Sequence, residues 1–273
     1  MSNAGIAASC TGVVKVYQAS AGEVAALRGV DLEIPFAAVT AIVGPSGSGK
    51  SSLLRILAGF DRPTAGSVRI GNVETNDLRP AALRELRRRM IGYIFQRPAD
   101  NLVSYFTVRQ LLRHSAKIAG YGRGWAERAD ELLASLDLTK RADHRPSELS
   151  GGEQQRVSFA SVLMAGPTLV VADEPTGELD SGSAREVIGY MERAAAGGTG
   201  FVLATHDSNA AAAAARIYHL RHGSIEAEAK DARRLSVIDE AGRIQLPADW
   251  RRLFPDGRAE IREEADHLRI EPP

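Results

Sequence analysis

The chain has 273 residues, 44% of them hydrophobic, with 34 basic and 34 acidic side chains and a formal net charge of zero. Its length suits one large domain or two smaller ones, and its charge balance gives no ground for expecting nucleic acid or an anionic membrane surface as a partner. A single cysteine, Cys10, rules out an intrachain disulfide framework and fits a reducing compartment.

The opening residues lack a basic region followed by an apolar one, so no signal peptide is expected. No run approaches the ~18 apolar residues of a membrane-spanning helix, so a membrane role would require a partner. On its residues alone, Tyr17 reads as a core tyrosine. Val39 to Val43 reads as a short buried strand. Gly44, Pro45, Ser46, Gly47, Ser48, Gly49, Lys50, Ser51 and Ser52 follow it, and Gly44, Gly49, Lys50 and Ser51 fit the spacing G-x-x-x-x-G-K-[ST]. A helix with Leu53, Leu54, Leu57 and Ala58 on one face is predicted next. Glycines at 44, 47 and 49 allow a tight turn with inward amides, and the helix start completes an anion cradle. Lys50 is placed to reach the β- and γ-phosphates of a nucleotide, and Ser51 to ligate magnesium.

Further along, residues 84–89 are basic but carry Glu85 among them, as a solvated helix face would. Gln96 stands at a polar strand end. In residues 149–156, "LSGGEQQR", Ser150 can cap a helix, and Gly151 and Gly152 leave its first amides bare. A complete triphosphate cradle already lies about 100 residues earlier, and two such ends can serve one γ-phosphate from opposite sides if they come from two copies of the chain; an ordinary Ser-Gly-Gly helix start is the alternative. That geometry implies a head-to-tail dimer with nucleotide between subunits. Leu169 to Ala172 reads as a central parallel strand ending in Asp173 and Glu174. Ligands of open parallel sheets sit beyond the carboxyl ends of strands. Asp173 is therefore a candidate for the magnesium shell, and Glu174 for polarising the attacking water. His206 closes the strand "FVLA" on the same side of the sheet.

Taken together, "GPSGSGKS", Gln96 in "IFQ", "LSGGEQQR", "VVADEPT", "GELD" and "ATHD" resemble the ATP-binding subunit of an ABC transporter across about residues 10–228. The resemblance implies an α/β fold: a RecA-like phosphate-loop NTPase core with a parallel sheet, an antiparallel β subdomain and an inserted helical lobe at about 98–165. The nucleotide-binding domain would cover 1–230. ATP and Mg2+ would be the ligands, with the loop 44–52, Tyr17 against adenine, and Ser150, Gly151, Gly152, Glu153 and Asp180 reaching nucleotide across a homodimer. Catalysis would fall to Glu174, His206, Lys50 and Gln96, and metal binding to Ser51, Gln96 and Asp173. Ser52 stands where the family more often has threonine, "RVSFASVL" lacks the usual Ala-Arg-Ala, and Glu178 is charged where a small or amide residue is usual.

"GEVAALRGVDLEI", "LRELRRRMIGYIFQ" and "DEPTGELDS" are similar to the MacB/LolD-like subgroup, whose ATPases pair with FtsX-type permeases at the inner face of the cell membrane. In that setting Leu102, Tyr105 and Phe106 are candidate permease contacts; packing within the helical lobe is their alternative. After residue 230, paired strands are predicted around Val237–Ile238 and Ile244–Leu246, then around 259–262 and 268–270. Gly242 to Pro247 resembles the core of AbrB/MazE-type swapped-hairpin domains, which are obligate dimers. From Lys230 to Glu271 there are nine Lys or Arg against ten Asp or Glu, so the tail 231–273 is expected to dimerise and not to bind DNA. The rival classes are a soluble non-transport ABC ATPase linked to DNA or the ribosome, and a regulatory ATPase module that works through its tail.

Overall fold

The computed structural model describes residues 5–19, 22–177, 179, 181–206, 211, 214–230, 233–236, 260–264 and 267–271. Chain order begins with two long strands, β1 (Ile6–Ala19) and β2 (Gly22–Pro35), then β3 (Val39–Val43) and helix α1 (Lys50–Leu57). Strands β4 (Ala65–Ile70) and β5 (Val73–Glu74), helix α2 (Pro80–Met90) and strand β6 (Ile91–Ile94) follow. Helices α3 (Val108–Ala119), α4 (Trp125–Ser135) and α5 (Gly151–Leu163) lead to β7 (Leu169–Asp173), α6 (Ser181–Ala196) and β8 (Gly200–Thr205). The order ends with β9 (Arg216–Arg221), β10 (Ser224–Lys230), β11 (Arg233–Ser236) and a hairpin of β12 (Glu260–Glu264) and β13 (His267–Glu271).

Seven strands form the main sheet in the order β11-β10-β9-β3-β8-β7-β6, parallel from β9 to β6. Side chains of the central strands alternate between two hydrophobic cores, as a period of two demands. Ala41, Val170, Ala172, Phe201 and Leu203 face the core shared with α3, α4 and α5. Ile42, Leu169, Val171, Val202 and Ala204 face the core shared with α1 and the antiparallel sheet β2-β1-β4-β5. Burial on both faces is why these strands read as unbroken apolar runs. Strands β1 and β2 pair along their length with four register shifts, and the extra twist of such bulges lets long strands curl over α1.

The lobe helices carry their own start and stop signals. Thr107 and Gln110 form a reciprocal capping box on α3, which stops at Gly120 with φ 78°. α5 opens on a second box between Ser150 and Glu153 and packs on α3, α4, α6 and β6. No helix among the described residues is long and apolar enough to cross a membrane.

Two expectations change here. Leu102 is only 9% exposed and lies in the lobe core, and Phe106 is half-buried against the same core; of the three candidates Tyr105 is the open one, at 71%. Packing decided this, because burying a leucine under α3 and α5 is worth about 2 kcal/mol. The boundary expected at 230/231 falls between two strands that pair, so the main sheet runs on to Ser236. In the tail, β12 pairs β13 in antiparallel register from Glu260↔Glu271 to Glu264↔His267. The motif Gly242–Pro247 and the strands expected around it lie outside the described residues, as do Glu178 and Asp180.

Candidate functional site: a phosphate loop facing two carboxylates

The loop between β3 and α1 is shaped by contacts that exclude side chains. A Cβ on Gly44 would stand 2.1 Å from the Leu220 carbonyl oxygen, and one on Gly49 would stand 2.5 Å from that of Ala26. Gly49 also caps α1 with φ 108°, and Gly47 turns with φ 75°, both in the region that favours glycine. The Ser48 amide donates to Pro45 (3.3 Å), and the Ser48 carbonyl accepts from Gly223 (3.0 Å), which ties the loop to the β9–β10 turn. Pro45, Ser46 and Gly47 are exposed, whereas Ser48 is buried. The Lys50 ammonium is held over the loop by the carbonyls of Gly44 (2.7 Å) and Pro45 (2.9 Å). A cationic donor above bare helix-start amides is a fit for phosphate.

Strand β7 delivers Asp173 and Glu174 beside this loop. Ser51 hydrogen-bonds the Asp173 carboxylate. Burial raises the Asp173 pKa, the neighbouring Glu174 charge adds to that, and Ser51 and Lys50 only partly offset it. A hydroxyl beside a half-buried carboxylate crowded by a second one is a hard oxygen set that suits a divalent cation such as magnesium. Among the described residues no group of three or more His, Cys, Asp or Glu is placed to hold a metal ion.

Glu174 adopts φ 46°, a left-handed conformation that costs a non-glycine residue about 1–3 kcal/mol and that folded chains retain mainly at functional sites. Two backbone bonds hold it: its amide donates to Ala204 on β8 (2.9 Å), and its carbonyl accepts from Gly177 (3.0 Å). His206, just beyond β8, places Nδ1 3.1 Å from Glu174 Oε1. A Cβ on Gly177 would lie 3.4 Å from Oε2, in ordinary van der Waals contact.

Gln96 is exposed two residues past Ile94, which pairs with Ala172, so it leaves the sheet at the edge where Asp173 emerges. Asn101 fixes this exit, accepting from the Phe95 amide (2.9 Å) and donating to the Tyr93 carbonyl (2.8 Å). Sequence reading missed Asn101; an Asn seven residues past a strand end is a weak signal in one sequence. Tyr17 is half-buried and donates to Asp61 (3.0 Å), with Ser52 Oγ at 3.4 Å. Burial of Asp61 works to raise its pKa, but bonds from Lys15, the Arg62 amide and Tyr17 outweigh it and hold the carboxyl low. Tyr17 is thereby anchored beside α1, its ring 4.9 Å from Lys15 Nζ.

The second expected anion site belongs to the helical lobe. Its hydrogen-bond partners among the described residues are lobe residues. Ser150 accepts from the Glu153 amide (3.3 Å) and donates its hydroxyl to Glu153 Oε2 (3.0 Å). The first intrahelical bond of α5 runs from the Gln154 amide to Ser150, so the amides of Gly151 and Gly152 precede it and remain donors. Glu153, also expected to reach nucleotide, is engaged here by Ser150 and by Arg141, which approaches to 2.6 Å.

Bare loop amides under a lysine, facing a strand end with paired carboxylates, make this a phosphate-loop nucleoside triphosphatase. Residues 27–177, more than half of the chain, match the family model described as ABC transporter, and the chain belongs to that family. It is 40% identical over 244 residues to the macrolide export ATP-binding/permease protein MacB of Salmonella typhimurium, a match that covers 88% of this chain and 37% of that protein. With the probable syringafactin export ATP-binding/permease protein SyfD of Pseudomonas syringae, the identity is 41% over 237 residues, covering 86% and 36%. The chain thus spans little more than a third of the curated relatives it matches. Among solved structures, the ATP-binding cassette MJ0796, a dimer in a post-hydrolysis state bound to ADP and Pi, superimposes with a TM-score of 0.73 at 35% identity. That match covers 83% of this chain and 99% of the cassette. ATP binding and hydrolysis are the chemistry of this fold.

Proposed function

We propose that the chain is the ATP-driven motor of an export-type transporter, acting as a pair of copies on a separate membrane permease at the inner face of the cell membrane. The observation that carries the reading is the convergence of Lys50, Ser51, Asp173, Glu174 and His206 at the ends of β3, β7 and β8. Export is supported by the names of relatives that join an ATP-binding and a permease portion in one protein.

In this reading the loop 44–52 and Lys50 hold the β- and γ-phosphates, and Tyr17 lies against adenine. Ser51, Asp173 and Gln96 would hold magnesium, which supplies charge neutralisation at the phosphates when bound. Glu174 Oε2 takes the proton of a water that adds to the γ-phosphorus as the bond to ADP breaks, giving phosphate. His206 holds Oε1 and contacts the γ-phosphate. Ser150, Gly151, Gly152 and Asp180 serve the nucleotide held by the other copy. Residues 1–236 form the nucleotide-binding domain, with its lobe at 98–165, and the permease meets the face that presents Tyr105. The tail beyond the main sheet clamps two copies together as a swapped hairpin of the AbrB/MazE type. The sequence supports this through Gly242–Pro247 and an even charge balance.

Capture of the chain from detergent-solubilised membranes, with mass spectrometry of what accompanies it, tests the transport reading. Recovery of a permease with few spanning helices and a large outer domain is expected. Recovery of no membrane protein would overturn it. Deleting residues 237–273 should halve the nucleotide-free mass in solution, and an unchanged mass would end the clamp idea.

A further inference from the structure

The start of α5 carries an acid where an anion is meant to dock. Glu153 lies in the first turn, three residues from the cap. A carboxylate there favours the helix, but it competes with a phosphate for the same positive end. The structure shows how the conflict is resolved. Glu153 Oε2 turns back to accept from the Ser150 amide (2.8 Å) and hydroxyl (3.0 Å), and Oε1 accepts from Arg141 Nε (2.6 Å). The Ser150 amide is the larger cause, and Arg141 the next, of a Glu153 pKa held down at about 2. Arg141 closes the single helical turn Thr139–Arg141, with its own amide bonded to Leu138 (2.8 Å), so a segment outside α5 supplies the cation. Among the described residues, His144 Nε2 also lies 3.5 Å from a guanidinium nitrogen of Arg141. Arg141 is 42% exposed and Glu153 16%. A pair this open to water adds little to monomer stability. Its effect grows once a second subunit covers it and the screening is lost.

We propose that Arg141 is a positioning residue that neutralises Glu153 and holds its carboxylate folded back on the Ser150 cap, so that the bare amides of the α5 N-terminus can accept the γ-phosphate held by a second copy. The inference rests on the two-copy reading above. Its test uses the full chain carrying Glu174→Gln as parent, with the ATP concentration at half-maximal closure of the two copies read from their compaction in small-angle X-ray scattering, a change that a dimer already joined through its tails still shows. If the parent shows no ATP-dependent closure of two copies, the two-copy reading itself fails. If it does, adding Arg141→Ala should raise that midpoint about tenfold, the effect expected of an uncompensated charge at a helix end. Adding Glu153→Gln to Arg141→Ala should restore it, because the amide keeps the cap and removes the charge. Arg141→Lys should retain most of the parent's behaviour. A merely structural Arg141 predicts no rescue by Glu153→Gln. Equal midpoints for the parent and Arg141→Ala, or equal impairment of the single and double variants, would overturn the proposal.

Discussion

Gly49→Ala isolates what the phosphate loop demands of its backbone. The residue has φ 108°, and a Cβ would lie 2.5 Å from the Ala26 carbonyl oxygen and 2.9 Å from Leu27 Cδ2. Left-handed strain costs roughly 1–3 kcal/mol. Overpacking against β2 adds roughly 1–3 kcal/mol, because the nearest atom is backbone and cannot swing aside. The sum, about 2–6 kcal/mol, must be met by unfolding or by moving the loop off its phosphate-binding shape. Gly47→Ala is the control: φ is 75°, but nothing lies within 4 Å of its Cβ, so strain alone applies. Urea unfolding, read as a midpoint shift at constant slope, gives the stability difference, and titration with a fluorescent ATP analogue gives the binding loss. Gly49→Ala should exceed Gly47→Ala in cost by about 1–3 kcal/mol and bind nucleotide at least about tenfold more weakly. Equal stability and equal binding of the two variants would refute the packing argument.

Other consequences follow from single environments. Leu102→Ala should destabilise the chain by about 2–4 kcal/mol in urea, as a lobe-core leucine does; no change would return Leu102 to the surface. Glu153 has a folded pKa of about 2 against 4.5 for the free group, so its contribution is present above pH about 4.5 and lost as pH falls toward 2. Glu153→Gln should therefore flatten stability between those values, and an unaltered acid limb would contradict the assignment. Burial, aided by the Asp31 charge, pushes the Cys10 thiol up to about 12, so a thiol reagent should find no group in the folded chain and one after unfolding.

Much of the site was legible because its signals are contiguous. The run Val39–Val43, the glycines after it and the apolar helix face of α1 are local in sequence, and the structure places each where expected. Asp173, Glu174 and His206 were legible for a related reason: short apolar strands buried on both faces announce their own carboxyl ends. The rest depends on contacts far apart in the chain. The β1–β2 pairing carries register shifts that no alternation pattern encodes. The burial of Leu102 is set by α3 and α5, which lie later in the chain. Glu153 reads as a nucleotide contact by position, yet Arg141, twelve residues earlier, already holds it. The left-handed turn at Glu174 is likewise invisible to residue type, since glutamate has no preference for it.

The central claim is that Glu174, braced by His206 at 3.1 Å, is the base of an ATPase built on this loop. Steady-state phosphate release from ATP by the Glu174→Gln chain, compared with the unaltered chain at saturating nucleotide, tests it most directly. The account predicts a fall of about 10²–10⁴-fold, the usual loss of a general base, with ATP binding retained. Turnover within a few-fold of the unaltered chain would contradict it and remove Glu174 from the chemistry.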